Sequence, residues 1–382
     1  MESYIRTTHV GSLPRPPSLL SRMQKNPFGW RLSKDANSLE FAKDLAESIK
    51  AVVARQVEIG IDFVSDGEFS KPNFATYVAD RLVGFGGERM PVPPADWMAF
   101  PGYVQQMIDT GTLAPGAGIP CCNGPVAPKD DTALSTDIAN MRAAIDVCRP
   151  ARAFLNAASP GVVAVFHANE FYPDDDAYIE AVAEALRPEY EAIVDAGFDL
   201  QVDSPDLAMS RHMNYVQLDE PAFMHAVERN IAALNHATRN IPSERLRMHI
   251  CWGNWQGPHH LDIPFEKIVS RVVRARPQTL LVEGANPRHG HEWAVFREFQ
   301  LPEDKILAPG VIDSTSNSVE HPDLVAQRLL NYADVVGRDR VVAGTDCGFS
   351  TFSGLPQVYP EFVWLKLASL VQGAEIASDK LW

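Results

Sequence analysis

Residues 246–254 read Leu-Arg-Met-His-Ile-Cys-Trp-Gly-Asn. The short apolar run at its start predicts a β-strand, and the side chains that follow carry groups suited to chemistry. Alternate side chains of an extended strand point to the same face, so His249 and Cys251 are expected to share one space. A His-x-Cys pair at the end of a strand can supply two ligands to one metal ion.

The same pattern of a short strand-like run, a turn and a longer amphipathic segment recurs along the chain. The eight candidate strands are residues 6–10, 62–65, 162–166, 199–202, 246–250, 279–282, 306–308 and 340–343. The helical patterns, with apolar residues near i, i+3, i+4 and i+7, are 39–59, 176–196, 265–276, 319–335 and 359–370.

Strands that alternate with helices indicate parallel pairing, because parallel neighbours need a crossover connection. Eight such units predict an α/β fold of the (β/α)8 TIM barrel type with a long insertion after the second strand. An open doubly wound sheet is the alternative, although no glycine-rich nucleotide fingerprint follows an early strand.

The chain, residues 1–382, is interpreted as a single catalytic barrel because no linker or low-complexity stretch divides it. One segment, at about 84–131, interrupts the alternation with many prolines and glycines. It is expected to be an irregular insertion of the kind that serves as a lid or an interface.

Composition narrows the classes of partner. The 382 residues are 46% hydrophobic and 22% charged, with a formal net charge of −15, which disfavours nucleic acid and anionic membrane surfaces. A small-molecule partner is expected, a homo-oligomer is possible, and no run approaches the roughly 18 apolar residues of a membrane span. The opening residues lack the apolar core of a signal peptide, so a cytoplasmic location is expected.

The five cysteines are too few and odd in number for a disulfide framework. Cys347 lies at the end of the last candidate strand beside Gly348, and Glu283 lies at the end of the sixth beside Gly284. One imidazole, two thiolates and one carboxylate suit Zn²⁺ better than Ca²⁺, Mg²⁺ or Mn²⁺. From spacing alone, the alternative is that these are buried thiols and a hydrogen-bonded core histidine.

A set of motifs in a fixed order carries a resemblance to a known family. They are Thr7-Thr8-His9-Val10-Gly11-Ser12-Leu13-Pro14-Arg15, Ser65-Asp66-Gly67-Glu68, Gln201-Val202-Asp203-Ser204-Pro205, His249-Ile250-Cys251, Glu283, Gly310-Val311-Ile312-Asp313 and Asp346-Cys347-Gly348. From about residue 5 to the C-terminus, the chain resembles the catalytic barrel of cobalamin-independent methionine synthase.

The resemblance implies a zinc ion held by His249, Cys251, Glu283 and Cys347. It implies that this zinc activates a thiol for attack on an alkyl donor, so that the activity is a zinc-dependent methyltransferase or alkyltransferase.

The resemblance also implies the residues that bind an amino-acid thiol. Ser12 would hold its carboxylate, and Glu68 and Asp203, which are also the predicted catalytic residues, would hold its amine. A second acidic motif, Asp219-Glu220-Pro221, competes for the role of Asp203. Asp203 is preferred, because acids and a proline are also typical of the first turn of a helix.

Two departures bear on the reaction. The long methionine synthases carry a second barrel that helps hold folate, and 382 residues accommodate one. Where the family has the histidine of an Asp-x-His sequence, this chain has Thr315, which cannot act as an acid near pH 7.

The chain also resembles single-barrel members, including epoxyalkane:coenzyme M transferases. Methyl transfer to a homocysteine-like thiol is the leading hypothesis; epoxide opening, metal-dependent hydrolysis and noncatalytic thiol or zinc binding are the alternatives.

Three other features receive structural interpretations. His289 and His291 form a His-x-His pair in a predicted loop, where a polar role is favoured over metal binding. Arg15 is one of several arginines that could clamp an acidic substrate group. Cys121 and Cys122 lie in the insertion and are expected to be structural.

Overall fold

The structure is a computed structural model that describes residues 3–23, 38–110 and 118–382. Its centre is a curled sheet of seven parallel strands in the order β1-β4-β5-β6-β7-β8-β9. These strands are β1 (Phe63–Val64), β4 (Arg152–Ala158), β5 (Asp199–Asp203), β6 (Leu246–Ile250), β7 (Thr279–Val282), β8 (Ile306–Ile312) and β9 (Gly344–Thr345). Two antiparallel strands, β2 (Leu82–Arg89) and β3 (Ile119–Pro128), form a separate ribbon.

Helices alternate with the parallel strands, as the crossover argument requires. They are α1 (Pro17–Met23), α2 (Leu39–Ile59), α3 (Val78–Arg81), α4 (Ala95–Met98), α5 (Pro101–Asp109), α6 (Thr132–Cys148), α7 (Pro160–Phe166), α8 (Asp175–Asp195), α9 (Glu220–Ala237), α10 (Phe265–Val272), α11 (Pro322–Val336) and α12 (Pro360–Leu381). The bounds of α2 agree with the predicted segment because both ends are capped: the Ser38 side chain accepts from the amide of Phe41, and Gly60 takes a left-handed conformation.

The segment around Thr7 lies between the two outer strands of the sheet. The amide of Thr8 donates to the carbonyl of Ala343 at 2.8 Å, and the amide of Phe63 donates to the carbonyl of Thr7 at 3.1 Å. Residues 6–10 and 340–343, both predicted as strands, form isolated bridges at Thr7, Val341 and Ala343. The segment around Thr7 therefore connects the two outer strands of the curled sheet by hydrogen bonds. This arrangement is consistent with a (β/α)8 barrel.

One predicted strand is wrong. Residues 162–166 belong to the buried helix α7, whose first turn is capped by the Ser159 hydroxyl accepting from the amide of Val162 at 3.0 Å. The parallel strand at this point of the sheet is β4, which sequence analysis missed. A buried helix of seven residues shows no polar face, and its β-branched residues imitate a strand.

The interpretation of residues 84–131 as irregular is also wrong. The ribbon of β2 and β3 and the short helices α4 and α5 account for most of the described part of this insertion. Its helices contact the loop that follows β6: the Tyr103 hydroxyl donates to the carbonyl of Gln256 at 2.6 Å, and Trp97 packs edge-on against Trp255. The insertion therefore covers the loop next to Cys251.

The main apolar cluster contains buried residues from Ile5 to Ala377, so both ends of the sequence contribute to one core. Among the described helices, we find none with the length and apolar character needed to cross a membrane.

Candidate metal centre

Three predicted ligands meet at the carboxyl end of the parallel sheet. One atom each from His249, Cys251 and Cys347 lies within 4.8 Å of the other two, and all three side chains are buried. His249 is the penultimate residue of β6, Cys251 directly follows that strand, and Cys347 lies two residues after β9. Strands that are far apart in sequence thus bring imidazole and thiol groups into one space, as the period of two predicted.

The spacing of the two sulfur atoms provides a test of whether the site fits zinc. Cys251 Sγ lies 3.7 Å from Cys347 Sγ. Two Zn–S bonds of about 2.3 Å at a tetrahedral angle would hold their sulfur atoms about 3.8 Å apart. A disulfide would require about 2.05 Å. The cysteine pair therefore has the spacing of two ligands to one metal ion, and the donor set fits zinc.

The protonation of the Cys251 thiol depends on whether a cation is bound. The hydrogen bond to Cys347, together with burial, raises the pKa of the Cys251 thiol well above its ordinary value. A divalent cation would reverse this preference, because thiolates bind metal only after they lose their protons. The amide of Gly253 donates to Cys251 Sγ at 3.2 Å, a contact that would also stabilise a thiolate.

His249 is oriented by a carboxylate. Its Nδ1 lies 3.5 Å from Asp203 Oδ1, and its Nε2 lies 3.1 Å from the carbonyl oxygen of Asp346. Burial lowers the pKa of His249, but the hydrogen bond with Asp203 and the neighbouring Cys251 outweigh this and raise it to about 9. A carboxylate that holds a ligating imidazole is a common arrangement in metal sites.

Glu283 is outside the group of three. Its Oε1 accepts from the amide of Trp252 at 2.8 Å, and its Oε2 accepts from Asn286 Nδ2 at 2.7 Å. The Glu283 side chain thus contacts the backbone of the residue that follows Cys251. Both of its carboxylate oxygens accept hydrogen bonds from neighbouring groups in this structure. Its role as fourth ligand stays a prediction.

Asp346 has a structural role that sequence analysis missed. Its Oδ1 accepts from the amides of Gly284 and Ala285, both at 2.8 Å, and its Oδ2 accepts from the amide of Asn286 at 2.8 Å. Burial, followed by the charge of Glu283, raises the pKa of Asp346 to about 7. The Asp346 carboxylate thus holds the loop after β7 in place beside Cys347, the next residue in the chain. Its place in the Asp-Cys-Gly motif was the available signal.

The three predicted substrate-binding residues are all buried near this end of the sheet. Ser12 contacts the loop after Cys347: its carbonyl accepts from the amide of Phe349 at 2.9 Å, and its hydroxyl from that of Ser350 at 3.3 Å. Burial, and next the charge of Asp203, raises the pKa of Glu68 to about 8. Glu68 Oε2 has no hydrogen-bond partner among the described residues. The structure thus places two carboxylates in electrostatic contact, one with a free oxygen.

Other candidates have structural partners. Asp219 caps α9 by accepting from the amide of Ala222, so the helix-start interpretation is confirmed. Arg15 donates to the carbonyls of Ser350, Glu68 and Lys71, so it fixes loops instead of being available as a substrate clamp. His289 is buried and paired with Glu292 at 2.8 Å and Asp262 at 3.2 Å.

Fold and site together define a class: an α/β protein with a curled parallel sheet and a cysteine-rich candidate metal centre at its carboxyl end. Residues 160–361, more than half of the chain, match the family described as the catalytic domain of cobalamin-independent synthase. The chain belongs to this family, which confirms the resemblance seen in its motifs.

Individual relatives are distant but match over nearly their full length. A methionine synthase from Saccharolobus islandicus (strain Y.N.15.51 / Yellowstone #2) is 22% identical, with 98% of this chain and 95% of the relative covered. The uncharacterized protein YxjH of Bacillus subtilis (strain 168) is 24% identical, with 98% and 94% covered.

Solved structures show the same fold. A B12-independent methionine synthase from Shewanella sp. W3-18-1, in complex with selenomethionine, superposes with a TM-score of 0.77 at 20% identity, with 99% of each chain covered. A putative vitamin-B12 independent methionine synthase from Listeria monocytogenes gives 0.65 at 19% identity and the same coverage.

Proposed function

We propose that the protein is a zinc-dependent thiol alkyltransferase that transfers a methyl group to a homocysteine-like thiol. The observation that carries the proposal is the 3.7 Å spacing of Cys251 Sγ and Cys347 Sγ beside His249. The family and the methionine synthases among the relatives support the same reaction class. The chain would act as one catalytic unit, with a small-molecule thiol and an alkyl donor as its partners.

His249, Cys251 and Cys347 would hold the metal, with Glu283 as the candidate for the fourth position. Bound zinc would favour the thiolate form of a substrate thiol while two cysteine ligands keep electron density on its sulfur. In the reaction, the sulfur forms a bond to the methyl carbon, and the donor departs with the electron pair of the bond that breaks.

The residues of the chain would select the thiol. Glu68 and Asp203 place carboxylates beside the site, and a free ammonium group is the natural partner of Glu68 Oε2. A sulfonate thiol such as coenzyme M would be repelled by Asp203, and by Glu68 when that side chain is ionised. An amino-acid thiol is therefore favoured over the thiol used in epoxide opening.

Metal analysis tests the proposal. We expect the purified protein to contain about one zinc per chain, and Cys347→Ser to lose most of it. Cys148→Ser is the matched control, because this half-buried cysteine ends α6, is not part of the candidate metal group and should leave zinc unchanged. Absence of zinc from the natural protein, or full zinc in Cys347→Ser, contradicts the proposal.

A second experiment separates catalysis from binding. Homocysteine and coenzyme M are titrated separately while X-ray absorption follows sulfur coordination to zinc, and a panel of methyl donors and epoxides is then tested with product mass detection. Coordination of homocysteine followed by methyl transfer supports the proposal. Thioether formation from coenzyme M and an epoxide supports the alternative, and coordination without any transfer supports a noncatalytic protein.

A further inference from the structure

A cavity of about 290 Å³ lies at the end of the sheet opposite to the candidate metal centre. Its lining includes the first residues of five parallel strands: Phe63, Arg152, Asp199, Thr279 and Ile306. The proposed metal ligands His249, Cys251 and Cys347 lie at the opposite, carboxyl end of the same parallel sheet, where β6 and β9 end. The cavity is therefore separate from the site described above, and its function requires its own explanation.

The lining of this cavity has one more positive than negative side chain, in a chain whose formal net charge is −15. Four arginines line it together with three carboxylates: Arg6, Arg152, Arg247, Arg338, Asp199, Glu244 and Asp339. Asp199 is already shared by two arginines, since Arg152 Nε lies 2.9 Å and Arg245 Nε 2.7 Å from its oxygens. Glu244 and Asp339 are exposed, where water screens their charge.

Three of the arginines converge on one aromatic ring. The guanidinium carbons of Arg6, Arg152 and Arg247 lie 5.6, 5.6 and 5.4 Å from the centroid of Phe63. Each gains from the face of the ring, but like charges so close together repel one another. Asp199 offsets part of this repulsion, and an anion bound among the arginines would offset more of it.

Arg247 is the buried member of this group, with only 4% of its surface exposed. Its Nη2 donates to Thr8 Oγ1 at 2.7 Å, and its guanidinium lies over the Phe154 ring at 3.9 Å. Its Nε and Nη1 make no hydrogen bond within the described residues. A buried charged group whose N–H donors have no acceptor carries a cost in free energy. A bound ligand with oxygen atoms facing Nε and Nη1 would remove this cost.

We propose that this cavity binds a small oxyanion, a carboxylate or a phosphate, between Arg247 and the arginines at its mouth. The arginine fork is suited to both groups, since each presents two oxygens to parallel N–H donors. The bound anion would neutralise the cluster around Phe63 and fasten the starts of the strands together.

Calorimetric titration at low ionic strength tests this proposal, with inorganic phosphate and succinate as separate probes. We expect at least one probe to bind saturably with a dissociation constant below about 5 mM. The probe that binds more tightly identifies the source of the oxyanion. It should also raise the midpoint of thermal unfolding, because it binds the folded state only.

Matched variants locate the binding. Arg338→Gln, at an exposed residue of the lining, should weaken binding at least threefold. Arg247→Gln should weaken it at least tenfold if circular dichroism shows that it folds. Arg274→Gln removes the same charge from a side chain that is 65% exposed and outside the lining, and should change nothing. Cys347→Ser should also bind the anion normally, because the metal centre is at the other end.

Failure of both probes to saturate below about 5 mM overturns the proposal. So does wild-type affinity in Arg338→Gln, or loss of binding in Cys347→Ser, which would place the anion at the metal centre. None of these results bears on the zinc content of the natural protein, so the test is independent of the proposed function.

Discussion

At the scale of single residues, Asp203 connects two parts of the site. It lies 3.5 Å from His249 Nδ1, and its charge contributes to the raised pKa of Glu68. The family resemblance implies that it holds the substrate amine, and the structure adds the contact with the proposed metal ligand. That contact could not be predicted, because the register that pairs Asp203 with His249 depends on the whole sheet.

We predict that Asp203→Asn weakens zinc binding about 10- to 100-fold, since the imidazole would lose the carboxylate that orients it. Competition with a chromophoric chelator measures this affinity. Asp219→Asn is the control, because an asparagine can still cap α9 and lies outside the site. Equal zinc affinity in Asp203→Asn and the natural protein would show that this contact does not support the metal.

Glu68 gives the binding of an amino acid a pH dependence. Its pKa of about 8 means that the carboxyl group is mostly protonated at pH 7 and mostly ionised at pH 9 in the free protein. Only the ionised form attracts an ammonium group. We predict that methionine, a product analogue without a titrating thiol, binds more weakly as the pH falls from 8 to 6, by up to about tenfold per pH unit.

Calorimetry with methionine at several pH values measures this effect. Glu68→Gln, which has no charge to lose, should bind weakly at every pH and show a flatter profile. A natural protein whose affinity for methionine is constant over this range would refute the assignment of the amine to Glu68.

At the scale of secondary-structure elements, sequence patterns succeeded where a segment had a clear period or clear caps. The strands at 246–250 and 279–282 and the helix at 39–59 have the predicted bounds. The largely buried helix α7 and the Arg- and Asn-containing strand β4 were not predicted, because tertiary packing overrides local preference at both places. The ribbon in the insertion was hidden by its prolines and glycines.

The close approach of β8 and β9 gives a prediction at this scale. A Cβ built on Gly310 would lie 2.1 Å from Asp346 Oδ1 and 2.7 Å from the backbone nitrogen of Asp346. Gly310→Ala must therefore push the two strands apart, and we expect a loss of about 2 to 4 kcal/mol in the free energy of unfolding. Displacement of Asp346 should also loosen the loop after β7 that its carboxylate holds, shift the adjacent Cys347 and reduce zinc affinity.

Chemical denaturation and chelator competition test both effects of Gly310→Ala. Gly102→Ala is the control, because among the described residues no atom beyond its own helix and chain neighbours lies within 4 Å of the added Cβ, and alanine favours a helix. A Gly310→Ala protein as stable as the control would mean that the strands adapt to the methyl group without strain.

At the scale of the whole molecule, closure of the sheet depends on the segment around Thr7, which is hydrogen bonded to both outer strands. The next residues carry His9 into the interior, where its Nε2 lies 2.7 Å from Gln56 Oε1. Burial lowers the pKa of His9 to about 4, with a smaller contribution from the charge of Arg247. The folded protein thus keeps this histidine neutral in the segment that completes the sheet.

Acid should therefore weaken the closed sheet. In the unfolded chain, His9 is protonated below the ordinary histidine pKa of about 6.5. In the folded chain, it becomes protonated only near pH 4. The unfolded state binds more protons, so the free energy of unfolding falls as the pH falls through this window, by about 2 to 3 kcal/mol for this residue.

His9→Asn keeps a polar side chain without the titration. Urea unfolding at pH 7, 6, 5 and 4 should show a smaller loss of stability in the variant than in the natural protein. Parallel pH profiles in the two proteins would show that His9 does not control acid unfolding, and that closure of the sheet tolerates a charge at this position.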